Sequence, residues 1–186
     1  MKQETDLPNW TEKYPVEALP KEIQYRFNRL LKIVAVNDEG FRTIVEHELT
    51  EPLFSESDSP IKQLRHITAH TFAIAETIKH AQMDQLSVLQ SYDYEKDFPE
   101  LENISIKDRY ELLTLLDHSI KNLYITLQEP EKLTMAIKKP YQRAPITVAD
   151  AFVDLSEHFY LHAQNMIDYY EKFSISRSES MKKALG

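Results

Sequence analysis

The 186-residue chain contains no cysteine, and its two glycines are Gly40 and Gly186. Without thiols there is no disulfide framework, thiolate metal site, iron–sulfur cluster or cysteine nucleophile. Without clustered glycine there is no GxxxxGK[ST] or GxGxxG cradle, because those turns need residues that lack a Cβ. Long apolar runs are missing too: the longest, around Leu30 to Val36, falls far short of the roughly 20 residues that span a bilayer. Cations are in the minority, with 22 Lys and Arg against 30 Asp and Glu, a net charge of -8. That balance repels a phosphate backbone unless basic residues cluster, so neither a nucleic-acid nor a membrane partner is expected. The opening Met1-Lys2-Gln3-Glu4-Thr5-Asp6 lacks the basic-then-apolar order of a signal peptide, and a cytoplasmic protein is the expectation.

What is present reads as helix. Residues 1–20 carry Pro8, Pro15 and Pro20 beside Trp10 and Tyr14, and predict an extended N-terminal arm anchored by two large aromatics. From Lys21, the spacing of Ile23, Phe27, Leu30, Leu31 and Val34 gives one helix face, continued by Phe41, Ile44 and Val45, with Gly40 a candidate interruption. Pro52 to Pro60 is a linker in which Ser59-Pro60 reads as an N-cap and a first-turn proline. The second helix follows, with Ile61, Leu64, Ile67, Ile74 and Ile78 on its apolar side, and the pattern breaks from Ser91 to Pro99. A third helix is predicted from a cap at Ser105 and Asp108, burying Leu112, Leu113, Leu116, Ile120, Leu123 and Leu127. Pro130 to Pro145 is a basic connection, too irregular to supply a core element. The fourth helix opens on Thr147-Val148-Ala149-Asp150 and continues to about Phe173, before a frayed serine-rich tail at 174–186. Four such helices bury their stripes only against one another, so residues 21–173 are expected to form an all-α four-helix bundle.

The chemistry lies in histidine. His158 and His162 are four apart on the fourth helix, on a face shared with Ala151, Leu155 and Tyr169 that turns inward. His66 and His70 repeat that spacing on the second helix, beside the small Ala73 and Thr77. Neutral imidazoles suit a borderline-soft cation such as Zn²⁺ or Ni²⁺, and three protein ligands leave a position for substrate. Asp154, one turn before His158, either orients that ring's other nitrogen or is solvated on the helix surface. Glu46-His47-Glu48 points in diverging directions and reads as surface. His80 and His118 are isolated and read as boundary or core residues. A di-iron centre needs several inward carboxylates in Glu-x-x-His pairs, which the chain lacks.

Two separated segments carry a family resemblance. Ser59-Pro60-Ile61-Lys62-Gln63-Leu64-Arg65-His66-Ile67 resembles the first motif of the DinB/YfiT-like superfamily, metal-binding four-helix bundles that include bacillithiol S-transferase-like members. Thr147-Val148-Ala149-Asp150-Ala151-Phe152, leading to His158-Phe159-Tyr160-Leu161-His162, is similar to the family's last helix with its HxxxH. The chain departs from the pattern in Asp58, where members carry tryptophan, and in Ala163-Gln164-Asn165, where they carry Arg-Gly-Gln. The resemblance implies His66, His158 and His162 as ligands of a divalent metal, with His70 an additional ligand or a neighbour behind them. It also implies a homodimer, a small-molecule substrate, and transferase or hydrolase chemistry on low-molecular-weight thiols and their adducts. Lys138, Lys139 and Arg143 are candidates to hold the acidic group of such a thiol. The alternative is a noncatalytic bundle whose metal serves stability or interaction.

Overall fold

The computed structural model describes residues 9–44, 48–52, 59–80, 87–88, 109–138 and 144–172. Its elements are α1 (Trp10–Lys13), a 3-10 turn (Val16–Ala18), α2 (Lys21–Thr43), a second 3-10 turn (Glu48–Thr50) and α3 (Pro60–His80). There follow β1 (Ser87–Val88), α4 (Arg109–Leu127), α5 (Pro130–Leu133), β2 (Ala136–Lys138), β3 (Ile146–Thr147) and α6 (Val148–Lys172). The four long helices are the four expected from periodicity, and the apolar residues assigned to the inner sides of α3 and α4 are buried.

Local chemistry explains the boundaries. α3 starts at Pro60, whose missing N–H is at a position with no intrahelical acceptor. α6 opens on a reciprocal cap: the Asp150 N–H donates to Thr147 Oγ1 (3.0 Å), while Thr147 N–H and Oγ1 donate to Asp150 Oδ2 (3.2 and 2.7 Å). Those hydrogen bonds hold the Asp150 carboxyl below its ordinary range. The helix predicted to pause at Gly40 does not. α2 runs through it to Thr43, whose hydroxyl donates to the carbonyls of Glu39 and Gly40. One interior glycine costs about 1 kcal/mol relative to alanine, whereas burying Phe41 in helical register contributes roughly 1.5–3 kcal/mol. Phe41 and Ile44 are both buried, so continuing the helix is favoured.

The N-terminal arm is more structured than an extended segment. Asn9 caps α1 by accepting from the Glu12 N–H, and Trp10, Tyr14 and Leu19 are buried. The Trp10 indole N–H donates to Asp38 on α2 (3.4 Å). The Tyr14 hydroxyl donates to Asp117 on α4 (2.7 Å), and Lys13 pairs with the same carboxylate. Tyr14 packs against Tyr124, Tyr124 against Phe27, and Phe27 against Phe152, an aromatic file from the arm to α6.

The connection between α4 and α6 also differs from expectation. Ala136–Lys138 pairs in parallel with Ser87–Val88 and antiparallel with Ile146–Thr147, in a small three-stranded sheet. Ile137 and Leu133 from this connection are buried, so it does contribute to the core. A three-residue strand is too short to declare itself by alternation, which is why local pattern misses it.

Helix directions follow from the cross-helix contacts. Phe27 meets Phe152 and Arg29 meets Glu157, so α2 and α6 run the same way. Phe27 meets Tyr124, while Arg109 donates to the Ile44 carbonyl (2.6 Å), so α2 and α4 run oppositely. Parallel first and last helices require a crossover that a simple up-down-up-down bundle does not have. α3 packs on α4 and on α6, which places the second and fourth long helices side by side. The expected cap at Ser105 and Asp108, the break at Ser91 to Pro99, the predicted helix end at Phe173 and the tail from Ser174 lie outside the described residues.

Candidate metal centre

The α3–α6 contact brings the two histidine pairs together. His66 Nε2 lies 2.9 Å from His158 Nε2, which lies 3.1 Å from His162 Nε2. One ligand-capable nitrogen from each of the three lies within 4.8 Å of the others, and all three side chains are half-buried. Among the described residues this is the one group of three or more potential ligands that converge, and it contains no carboxylate.

The donor set fits a cation. An imidazole nitrogen presents either one N–H or one lone pair, so His158 Nε2 cannot satisfy two neighbouring Nε2 atoms with two ordinary hydrogen bonds. Burial first, and then the neighbouring histidines, hold the pKa of His158 down to about 4 and that of His162 to about 3. Near neutral pH these rings are therefore uncharged and present lone pairs. Nitrogens about 2.0–2.1 Å from one divalent ion sit roughly 2.9–3.4 Å apart for octahedral to tetrahedral angles, a range that includes both short separations here. An all-imidazole set suits a divalent cation that accepts nitrogen ligands.

The remaining candidates are placed differently. His70 lies outside the convergent trio: its ring stacks on that of His158, with centroids 4.4 Å apart and planes 22° from parallel. Asp154 is exposed on α6, one turn before His158. Lys138 ends β2, and Lys139 and Arg143 lie outside the described residues, as do Glu46 and His47. His118, expected at a boundary or in the core, is exposed, because the inner side of α4 is filled by its leucines.

Arg29 belongs to no motif in the sequence, yet it contacts the helix that carries two of the histidines. Its guanidinium pairs with Glu157 (3.0 Å) and sits over the Tyr160 ring (4.8 Å), bracing the outer side of the helix that carries His158 and His162. Partners 128 positions apart leave no trace in local spacing.

No protein-family model matches the sequence, and no curated protein matches it by sequence. Solved structures do match. YfiT from Bacillus subtilis, described as "a probable metal-dependent hydrolase with an unusual four-helix bundle topology", superposes with a TM-score of 0.72 at 16% identity, over 85% of this chain and 91% of that one. A mycothiol-dependent maleylpyruvate isomerase and a mutant of it each superpose with a TM-score of 0.63, at 14% and 13% identity. Those matches cover 81% of this chain and 62% of the isomerase's length. These superpositions show the fold: the chain has the four-helix-bundle fold of YfiT.

Proposed function

We propose that this protein is a divalent-metal-dependent enzyme acting on a small molecule, with His66, His158 and His162 as the ligands. The observation that carries this reading is the convergence of three Nε2 atoms, in which that of His158 faces two others and cannot satisfy both by hydrogen bonding. A bound Zn²⁺ or Ni²⁺ supplies Lewis acidity there, lowering the pKa of a water or thiol that it binds. The chain's own contribution is to hold three rings on two rigid helices, keep those of His158 and His162 uncharged, and partly exclude solvent from all three.

Two reactions suit such a site: hydrolysis, supported by the likeness to YfiT, and transfer of a low-molecular-weight thiol, supported by the likeness to a mycothiol-dependent enzyme. Because the chain has no cysteine, a thiol nucleophile must come from a cofactor of the bacillithiol type. In that branch Lys138, Lys139 and Arg143 hold the cofactor's acidic group. The homodimer implied by the resemblance belongs to the same proposal and is checked by sedimentation.

The experiment is metal analysis of the purified chain, followed by assays with activated esters and amides and with thiol–electrophile pairs, before and after chelation. Near-stoichiometric metal, with turnover abolished in His158→Ala while the fold is retained, is the expected result. Absence of metal uptake overturns the reading. Metal whose removal unfolds the chain, without turnover of either substrate class, assigns it to the noncatalytic alternative.

A further inference from the structure

We infer that His70 serves the site through the face of its ring, as a positioning residue that holds the His158 imidazole with Nε2 aimed at His66 and His162. The inference rests on the reading that the three convergent histidines bind metal. It starts from a difference in geometry among four neighbouring rings. His66 and His158 cross at 54° with centroids 4.9 Å apart, and His158 and His162 meet nearly edge-on at 67° and 4.7 Å. Those angles go with nitrogens that point toward a shared centre. His70 and His158, at 22° and 4.4 Å, instead lie face to face, and His70 adds no atom to the convergent set.

A stacked partner has a specific use here. The χ2 torsion of histidine is broad and roughly two-fold, so the backbone and χ1 alone leave the His158 ring free to swing. A flat neighbour against one face removes that freedom before a metal arrives, and pre-organisation of this kind raises affinity by lowering the ordering cost of binding. The spacing supplies the partner directly. His70 follows His66 by one turn on α3, so the helix that contributes one ligand also contributes the wall against which a ligand from α6 is set.

The test is titration of the full, metal-free chain with Zn²⁺ by calorimetry, comparing the unaltered protein with His70→Ala and His70→Phe, together with visible spectra of the Co²⁺-loaded forms. His70→Ala is expected to weaken Zn²⁺ binding by about tenfold, the scale of losing a residue that orients a ligand. His70→Phe, which keeps a flat ring and has no nitrogen, is expected to recover most of that loss and leave the Co²⁺ spectrum unchanged. Should His70→Ala fail to fold, His70→Leu takes its place in the comparison. If Phe performs no better than Ala, or if the Co²⁺ bands shift as for a lost nitrogen ligand, His70 acts through its nitrogen and the inference is overturned. Unchanged affinity in every variant overturns it as well. An unaltered protein that takes up no Zn²⁺ removes the metal reading itself, and this inference with it.

Discussion

The Nε2 atoms of His66 and His158 lie 2.9 Å apart, although 92 positions separate the two residues in the chain. A contact of that length is stable only if one of the two nitrogens donates a proton, and His162 Nε2 sits 3.1 Å from the same atom of His158. On the proposed reading the three form an open ligand set, centred on His158.

Removing the central ring should disable uptake without dismantling the bundle. His158→Ala is expected to lower Zn²⁺ affinity by more than about tenfold, since loss of a ligand exceeds the loss of a residue that orients one. His158 is half-buried and lies at the edge of the packed face, so the helical circular dichroism should be unchanged. Calorimetry and circular dichroism on one preparation check both halves.

Acid should destabilise the metal-free protein through these histidines. In the unfolded chain each titrates near its ordinary value of 6.5, while in the fold burial holds His158 at about 4 and His162 at about 3. Between those values the unfolded state binds more protons, so stability falls as pH drops below about 6.5 and keeps falling until the folded-state values are passed. Urea midpoints in chelator at several pH values test this. The His162→Gln variant should show a shallower decline than the unaltered chain, and an equal decline would contradict the assignment.

The arm should prove part of the core. Trp10 is buried and its indole N–H satisfies Asp38, whose carboxyl is itself pushed up chiefly by burial. Trp10→Ala combines a large cavity with the loss of a donor to that carboxylate, and is expected to cost about 3–5 kcal/mol. Denaturant unfolding monitored by circular dichroism measures it, and a loss under about 1 kcal/mol would show that the arm is peripheral.

The cap of α6 should matter for stability and little for metal. Thr147→Ala removes the two hydrogen bonds of the hydroxyl to Asp150, leaving the one from the Thr147 N–H, and is expected to cost about 1 kcal/mol. His158 lies more than two turns further along the helix, so Zn²⁺ affinity should stay within error of the unaltered chain in the same calorimetric assay.

The amino-acid sequence by itself determined the four long helices, the α6 cap, the inner residues of α3 and α4, and both histidine pairs. Each of these depends on neighbours within about one or two turns, and periodicity reports such neighbours directly. It could not tell that Gly40 would be carried through, because the outcome depends on what Phe41 and Ile44 pack against. Nor did it show the small sheet, whose strands pair residues 50 positions apart, as Ser87 and Ile137 do. The sequence offered four histidines at helical spacing on two helices and left the role of the fourth open. Only the tertiary structure separated them, aiming three nitrogens inward and laying the His70 ring flat on His158. The physical reason is that ring orientation is set by the crossing of α3 and α6 and by what lies on each face of the imidazole, neither of which is encoded in the spacing along one helix.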